Sequence, residues 1–333
     1  MTTVPPVGAV RPSPVELVRV SDAFAGTREL RDAGRHHRVR AGVYAPRREW
    51  DRLPAWKRYL ARVHAYALIN PGAVFAYESV AALVGLPVFG EPTLIHVYDA
   101  ARSTSRRFGD VFVHASVAPP AMTTLGGLAL TTPAATAADL MRVLPAPFGL
   151  AVGDAAVSPA QGGRLALSDL ESAADVQPNT RGRALRNLLL PMVDSRSESP
   201  GESVSRAVIV WSGFEAPDLQ REFVTDGFTD RTDFWWQSVR AIAESDGYGK
   251  YLGATSDDTV ERVLAEKRRE DRLRRICKEF GRWDWAACMA VAPVVQELER
   301  LGVPRVAAPR TWLLASMRKN PRSLGRTKPT AAP

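Results

Sequence analysis

Residues 231–251 read RTDFWWQSVRAIAESDGYGKY, and no other run narrows the possible folds as far. The apolar and aromatic members (Phe234, Trp235, Trp236, Val239, Ile242) make two strand-length runs joined by a short turn. Asp233 rides on the first run, Glu244 and Asp246 on the second. Residues two apart in a strand share a face, so Glu244 and Asp246 stand together with Ser245 turned away. Carboxylates at the margin of a core require a partner or a cation. Oxygen ligands gathered on adjacent strands suit Mg²⁺ or Mn²⁺, and an ion so held serves in-line phosphoryl displacement. Lys250 follows, placed to stabilise a phosphate or activate a water. The competing reading is three solvated carboxylates on a sheet margin, with Asp246-Gly247 starting a turn.

The chain of 333 residues is long enough for two or three domains with their own cores. Its hydrophobic share, 45%, is that of a globular protein. Cys277 and Cys288 lack metal-ligand spacing and offer no disulfide framework, which fits a reducing cytoplasm. The N-terminus lacks a basic-then-apolar leader pattern, and no apolar run is long enough to span a bilayer. The formal charge of +8 is concentrated: from Arg305 onward there are seven basic residues and no acid. Arg318, Lys319 and Arg322 in this run suit a phosphate backbone, and a solvated tail explains them equally well.

Residues 1–14 read as a mobile arm and 15–50 as a small winged helix-turn-helix, with Thr27 as N-cap, Gly34 as stop, and 36–46 as a strand ending in a wing. Arg28 and Arg31 on the helix and Arg38 and Arg40 on the wing are candidate DNA contacts. From 51 to 190 the pattern predicts helices over 54–70 and 76–86, strands over 94–99 and 110–116, and a strand into a helix over 128–144 capped by Thr132. Helices follow to 193. Glu78 and Ser79 read as cap and dipole partners, His96 and His114 as core or interface histidines rather than metal ligands, and Arg102, Arg106 and Arg107, in the loop between the strands, as a second candidate phosphate contact or a solvated loop.

Ser199-Pro200-Gly201-Glu202 predicts a capping box opening a helix. Two roles fit Glu202: closing that box, or facing the acids on the strands. A hairpin with a four-residue turn then leads into the strand carrying Asp233. A charged helix spans 257–275, residues 282–291 read as a buried strand, and a closing helix ends at Gly302.

Taken in order, Arg231-x-Asp233-Phe234-x-Trp236, Glu244-x-Asp246-Gly247-x-x-Lys250-Tyr251, and Glu266-Lys267-x-Arg269-Glu270-Asp271-x-Leu273-Arg274 resemble the restriction-endonuclease-like, PD-(D/E)xK superfamily, in its very-short-patch-repair-like branch. Upstream, residues 15–50 and the run Arg40-x-Gly42-Val43-Tyr44-Ala45 resemble the N-terminal region of AbiEi-type antitoxins, as in actinobacterial proteins, though with a shorter first helix pair. The resemblance implies an α+β winged-helix and AbiEi-like region, a middle domain over 51–190, and an α/β nuclease-like domain over 191–303 with a mixed central sheet flanked by helices. It also implies a basic tail over 304–333, a Mg²⁺ or Mn²⁺ ion on Asp233, Glu244 and Asp246, and catalytic parts for Lys250 and Glu202. Asp246 stands where the superfamily carries lysine, so either Lys250 substitutes or that role is absent. The implied function is a DNA-binding, metal-dependent endonuclease in phage defence or a toxin–antitoxin setting, with DNA and a cognate toxin or other defence protein as partners. The alternative is a non-catalytic AbiEi-like repressor or antitoxin.

Overall fold

The computed structural model describes residues 9–22, 30, 32, 34–246 and 256–323. It is a mixed α/β chain divided into two compact units. The first takes residues 1–144, 162–191 and 320–333; the second takes 145–161 and 192–319. Among the described residues no helix is long and apolar enough to cross a membrane.

In the first unit, β1 (Val18–Arg19), β2 (His36–Arg40) and β3 (Val43–Pro46) form an antiparallel sheet in the order β1-β3-β2. The expected single strand over 36–46 is a hairpin, because Gly42 at φ +77° turns the chain between β2 and β3. Helices α1 (Arg47–Arg52) and α2 (Ala55–Ile69) follow, and Val15, Ala45, Trp50 and Ala61 make a small core. Thr27, Arg28 and Arg31 lie outside the described residues.

A six-stranded mixed sheet comes next, built from β4 (Val74–Phe75), β5 (Ile95–Tyr98), β6 (Arg106–Phe108), β7 (Val111–His114), β8 (Met122–Leu125) and β9 (Leu128–Thr131), in the order β6-β7-β5-β4-β9-β8. Helix α3 (Tyr77–Val84) stops where Gly85 adopts the left-handed C-cap. Helix α4 (Pro133–Val143) starts where the Thr132 side chain accepts from Ala135 N, with Pro133 at its first position. The chain then enters the second unit as α5 (Ala146–Val157) and returns for α6 (Leu167–Asp175) and α7 (Arg183–Leu189).

The second unit carries α8 (Pro200–Trp211) and a four-stranded sheet of β10 (Asp218–Thr225), β11 (Phe228–Trp236), β12 (Ala241–Asp246) and β13 (Glu279–Asp284), ordered β10-β11-β12-β13. The hairpin turn is tighter than the expected four residues: Asp226 and Gly227, both at positive φ, close it alone, as the right-handed strand twist favours. Strands β12 and β13 are parallel, so the chain crosses over through α9 (Ser256–Ile276). Trp235, Ile242, Leu273 and Phe280 form the core under α9, and Phe234 stacks on Trp283 at 5.7 Å between ring centroids. Apolar residues on both faces explain why β11 reads as a continuous run rather than an alternation.

The expected strand over 282–291 ends early. Asp284 caps a new helix by accepting from Ala287 N, and α10 (Trp285–Ala290) follows, then α11 (Ala292–Arg300). Residues 304–323 are no tail: α12 (Thr311–Ala315) buries Leu313 and Leu314, and Met317 is buried behind it.

Candidate active site

The pairing of β11 with β12 runs only from Trp236↔Ala241 to Phe234↔Ala243. The next pair would set Asp233 against Glu244, and there the two strands part. Ser245 N, left without a ladder carbonyl, donates to Asp233 Oδ2 at 2.8 Å. On the other side of Asp233 the β10 register skips Gln220, whose φ of +55° lifts it out of the ladder. Its amide instead donates to Glu202 Oε2 at 2.8 Å.

Glu202 arrives from the start of α8. Ser199 caps that helix by accepting from Glu202 N at 3.1 Å, but the reciprocal half of the expected capping box is absent. The Glu202 carboxylate accepts from Glu198 N at 2.8 Å and faces the acids. Burial, and then the negative charge of Asp233, pushes its carboxyl up to about 7.

Glu244 is 5% exposed, and both its oxygens are engaged. Arg269 from α9 donates to Oε1 and Arg282 from β13 to Oε2, the latter at 2.8 Å. The parallel register sets Arg282 directly beside Glu244. Asp246 shares the face of Glu244 as the period of two requires, and lies 3.5 Å from Arg282 Nε. Burial works against the charge of Arg269, but the Glu244 carboxylate outweighs it and holds the guanidinium above its ordinary value. A cavity of about 330 Å³ opens over this cluster, lined by Glu198, Asp230, Asp233, Glu244, Asp246 and Arg269 among others.

The structure thus gathers Glu202, Asp233, Glu244 and Asp246 into one site. Lys250 lies outside the described residues. Arg282 and Gln220 belong to the site without having been singled out. Arg282 alternates with Trp283 on a short strand, a faint sign, and nothing local marks Gln220. Among the described residues no three His, Cys, Asp or Glu side chains group closely enough to hold a metal ion by themselves.

The candidate nucleic-acid contacts divide. Arg38, Arg318 and Lys319 are exposed. Arg40 is not free for solvent: it makes a bidentate pair with Asp110 at 2.8 and 2.9 Å and lies over the Tyr66 ring. Arg322 is no phosphate contact either, because it is paired with Glu78, a residue only 3% exposed. Glu78 accordingly serves as a buried counter-ion rather than a helix cap. Arg106 and Arg107 sit on edge strand β6, not in a loop.

Two proteins of Mycobacterium tuberculosis are similar to this chain: Uncharacterized protein Rv2248 of strain ATCC 25618 / H37Rv and Uncharacterized protein MT2308 of strain CDC 1551 / Oshkosh. Each is 32% identical over 274 residues, covering 81% of this chain and 89% of the relative. The chain belongs to the family of these mycobacterial proteins. The matched stretch is longer than either unit, so what this family shares includes residues of both. No family model matches the chain, and no solved structure does.

Proposed function

We propose that the second unit is a metal-dependent phosphodiesterase of the restriction-endonuclease-like kind, acting on DNA in the cytoplasm. The observation supporting this reading is that Glu202, Asp233 and Glu244 converge where β11 and β12 part. The donor set suits Mg²⁺ or Mn²⁺: hard carboxylate oxygens, with Glu202 beside them held up to about 7 by its burial and then by the charge of Asp233. Asp233 and Glu244 would hold the ion with waters completing its shell, Asp246 would orient a water rather than serve as a third ligand, and Arg269 would release Glu244 Oε1. When bound, the ion supplies an acidified water and neutralises phosphate charge. Glu202, titrating near 7, accepts a proton from the attacking water. Arg269 and Arg282 lie where they offset charge developing on the phosphate, and Lys250 would add to this. Exposed Arg38, Arg318 and Lys319 would hold the duplex backbone. The winged-helix reading of 15–50 belongs to this proposal, as does a role in phage defence or beside a cognate toxin.

One observation favours a second reading, a non-catalytic AbiEi-like repressor or antitoxin using the nuclease-like fold as a platform. Glu244 is already neutralised by two guanidinium groups, which removes its need for a cation. Supercoiled plasmid incubated with the protein, with and without Mg²⁺ or Mn²⁺, separates the two. Metal-dependent nicking lost in Asp233→Asn and Glu244→Gln supports the nuclease. Plasmid binding without nicking, unchanged in both variants, supports the regulator.

A further inference from the structure

The first unit holds a cavity of about 340 Å³ that the proposed function does not use. That volume is at the small end of ligand pockets and suits a ring system. Its inner wall is a polar network whose groups already have partners. Arg142 donates to Asp139 Oδ1 at 2.8 and 3.0 Å, to Arg181 O at 3.1 Å, and to the Tyr77 hydroxyl. Gln177 donates to the same Asp139 oxygen at 3.0 Å and accepts from Arg186 at 2.8 Å. In such a wall the guanidinium groups are already taken by Asp139, by carbonyl oxygens and by Gln177, so none is open to a phosphate or carboxylate. An anion entering here would lose its hydration without a free guanidinium to replace it.

What the wall does offer is the edge of a ring stack, small side chains and one unusual donor. Tyr77 stacks on His114 with centroids 4.2 Å apart and planes 20° from parallel, and Tyr98 and several alanines complete the lining. Tyr77 holds φ +50°, a left-handed conformation that non-glycine residues adopt only where the surroundings enforce it. Behind it, His96 Nδ1 and His114 Nε2 are 2.9 Å apart, and Arg322 approaches His96 Nε2 at 3.2 Å. Burial holds both imidazoles well below their ordinary value, so both are neutral. Glu78 Oε2, 3.4 Å from the same nitrogen, already accepts from Arg322 at 2.6 Å, and the arginine can only donate, so His96 Nε2 is assigned as acceptor and His96 carries its proton on Nδ1. That proton goes to His114 Nε2, which leaves His114 with its own proton on Nδ1. His114, lining the cavity, therefore has an N–H for a ring nitrogen or carbonyl oxygen.

We propose that this cavity binds a neutral, flat heteroaromatic ring of nucleobase size, packed against the edge of the Tyr77–His114 stack and accepting a hydrogen bond from His114. A ring-stack edge with a neutral hydrogen-bond donor, and no open guanidinium for an anion, suits a base rather than a nucleotide's phosphate. The base can come from a free nucleoside or from an unpaired position in a nucleic acid.

The test is calorimetry on the full chain with adenosine, guanosine, cytidine and uridine, and in parallel with a short single-stranded oligonucleotide and its abasic counterpart. Ala173→Phe fills the cavity from half-exposed α6, and Val176→Trp covers its mouth from an exposed position, so at least one variant should fold normally. Saturable binding of a nucleoside, weakened at least tenfold in a folded variant, supports the proposal with a free ligand. Binding of the oligonucleotide but not of its abasic form, lost in the same variant, supports it with a nucleic-acid base. No saturable binding of any probe up to about 5 mM, or binding unaffected by both variants, overturns it.

Discussion

Replacing Glu202 with glutamine should stabilise the protein, and only above acid pH. The carboxyl is held at about 7 in place of its ordinary 4.5, because it is buried beside Asp233. At pH 8 it must ionise against that shift, which corresponds to about 3 kcal/mol. The sign follows from proton binding. Between the two values the folded state holds a proton that the unfolded state has lost, so stability falls as pH rises from about 4.5 to 7. A glutamine keeps one oxygen for Glu198 N and Gln220 Nε2, which both donate to it, and places an NH₂ where a second negative charge stood. Imperfect hydrogen bonds would take back about 1 kcal/mol at every pH, leaving a gain of about 2 kcal/mol at pH 8 and a loss of up to about 1 kcal/mol at pH 4.5. Urea unfolding followed by tryptophan fluorescence is the assay, since six of the eight tryptophans belong to the second unit. A variant no more stable than wild type at pH 8, or a difference that does not change with pH, would refute the argument that burial beside Asp233 holds the Glu202 carboxyl near 7.

Three further outcomes are expected. Arg322→Leu strands the buried Glu78 carboxylate and should cost the first unit about 3–5 kcal/mol, read as a lowered melting temperature. Burial pushes Glu78 up, but Arg322 and His96 hold it below its usual value, so this difference should shrink as pH falls through the carboxylate range. Gly213→Ala should destabilise the second unit by about 2–4 kcal/mol, because Gly213 sits at φ +87° and an added Cβ would lie 2.2 Å from Ala307 O; the urea midpoint reports it. Arg318→Ala with Lys319→Ala should weaken duplex binding regardless of sequence and lower the log–log salt slope by about 2; an unchanged slope would remove both from the DNA contact.

What could be read from the sequence was local. Glu244 and Asp246 share a face because strands repeat every two residues, and Ser199 caps α8 because a hydroxyl there meets a free N–H; neither depends on distant chain. The misread parts depend on pairing across the fold. Arg282 reaches Glu244 only through the parallel register of β12 with β13, and the sequence of neither strand states that register. Gln220 joins the site through a backbone angle that its identity does not suggest. In the last thirty residues, Trp312, Leu313, Leu314 and Met317 already formed an apolar signal, but the density of basic residues made the stretch look like solvated tail. Asp284 could be read as a strand residue or a cap, and only the packing of α10 decides between them.

The pairing of Arg322 with Glu78 also sets an order on biosynthesis. The partners are 244 residues apart, so a ribosome delivers the carboxylate long before its counter-charge. Until Arg322 emerges, the nascent first unit must keep Glu78 hydrated or protonated, and its surroundings cannot close as they do in the finished chain. The unit begun first is therefore completed last, and a chain stalled anywhere before Arg322 would present an unfinished N-terminal half to chaperones and proteases.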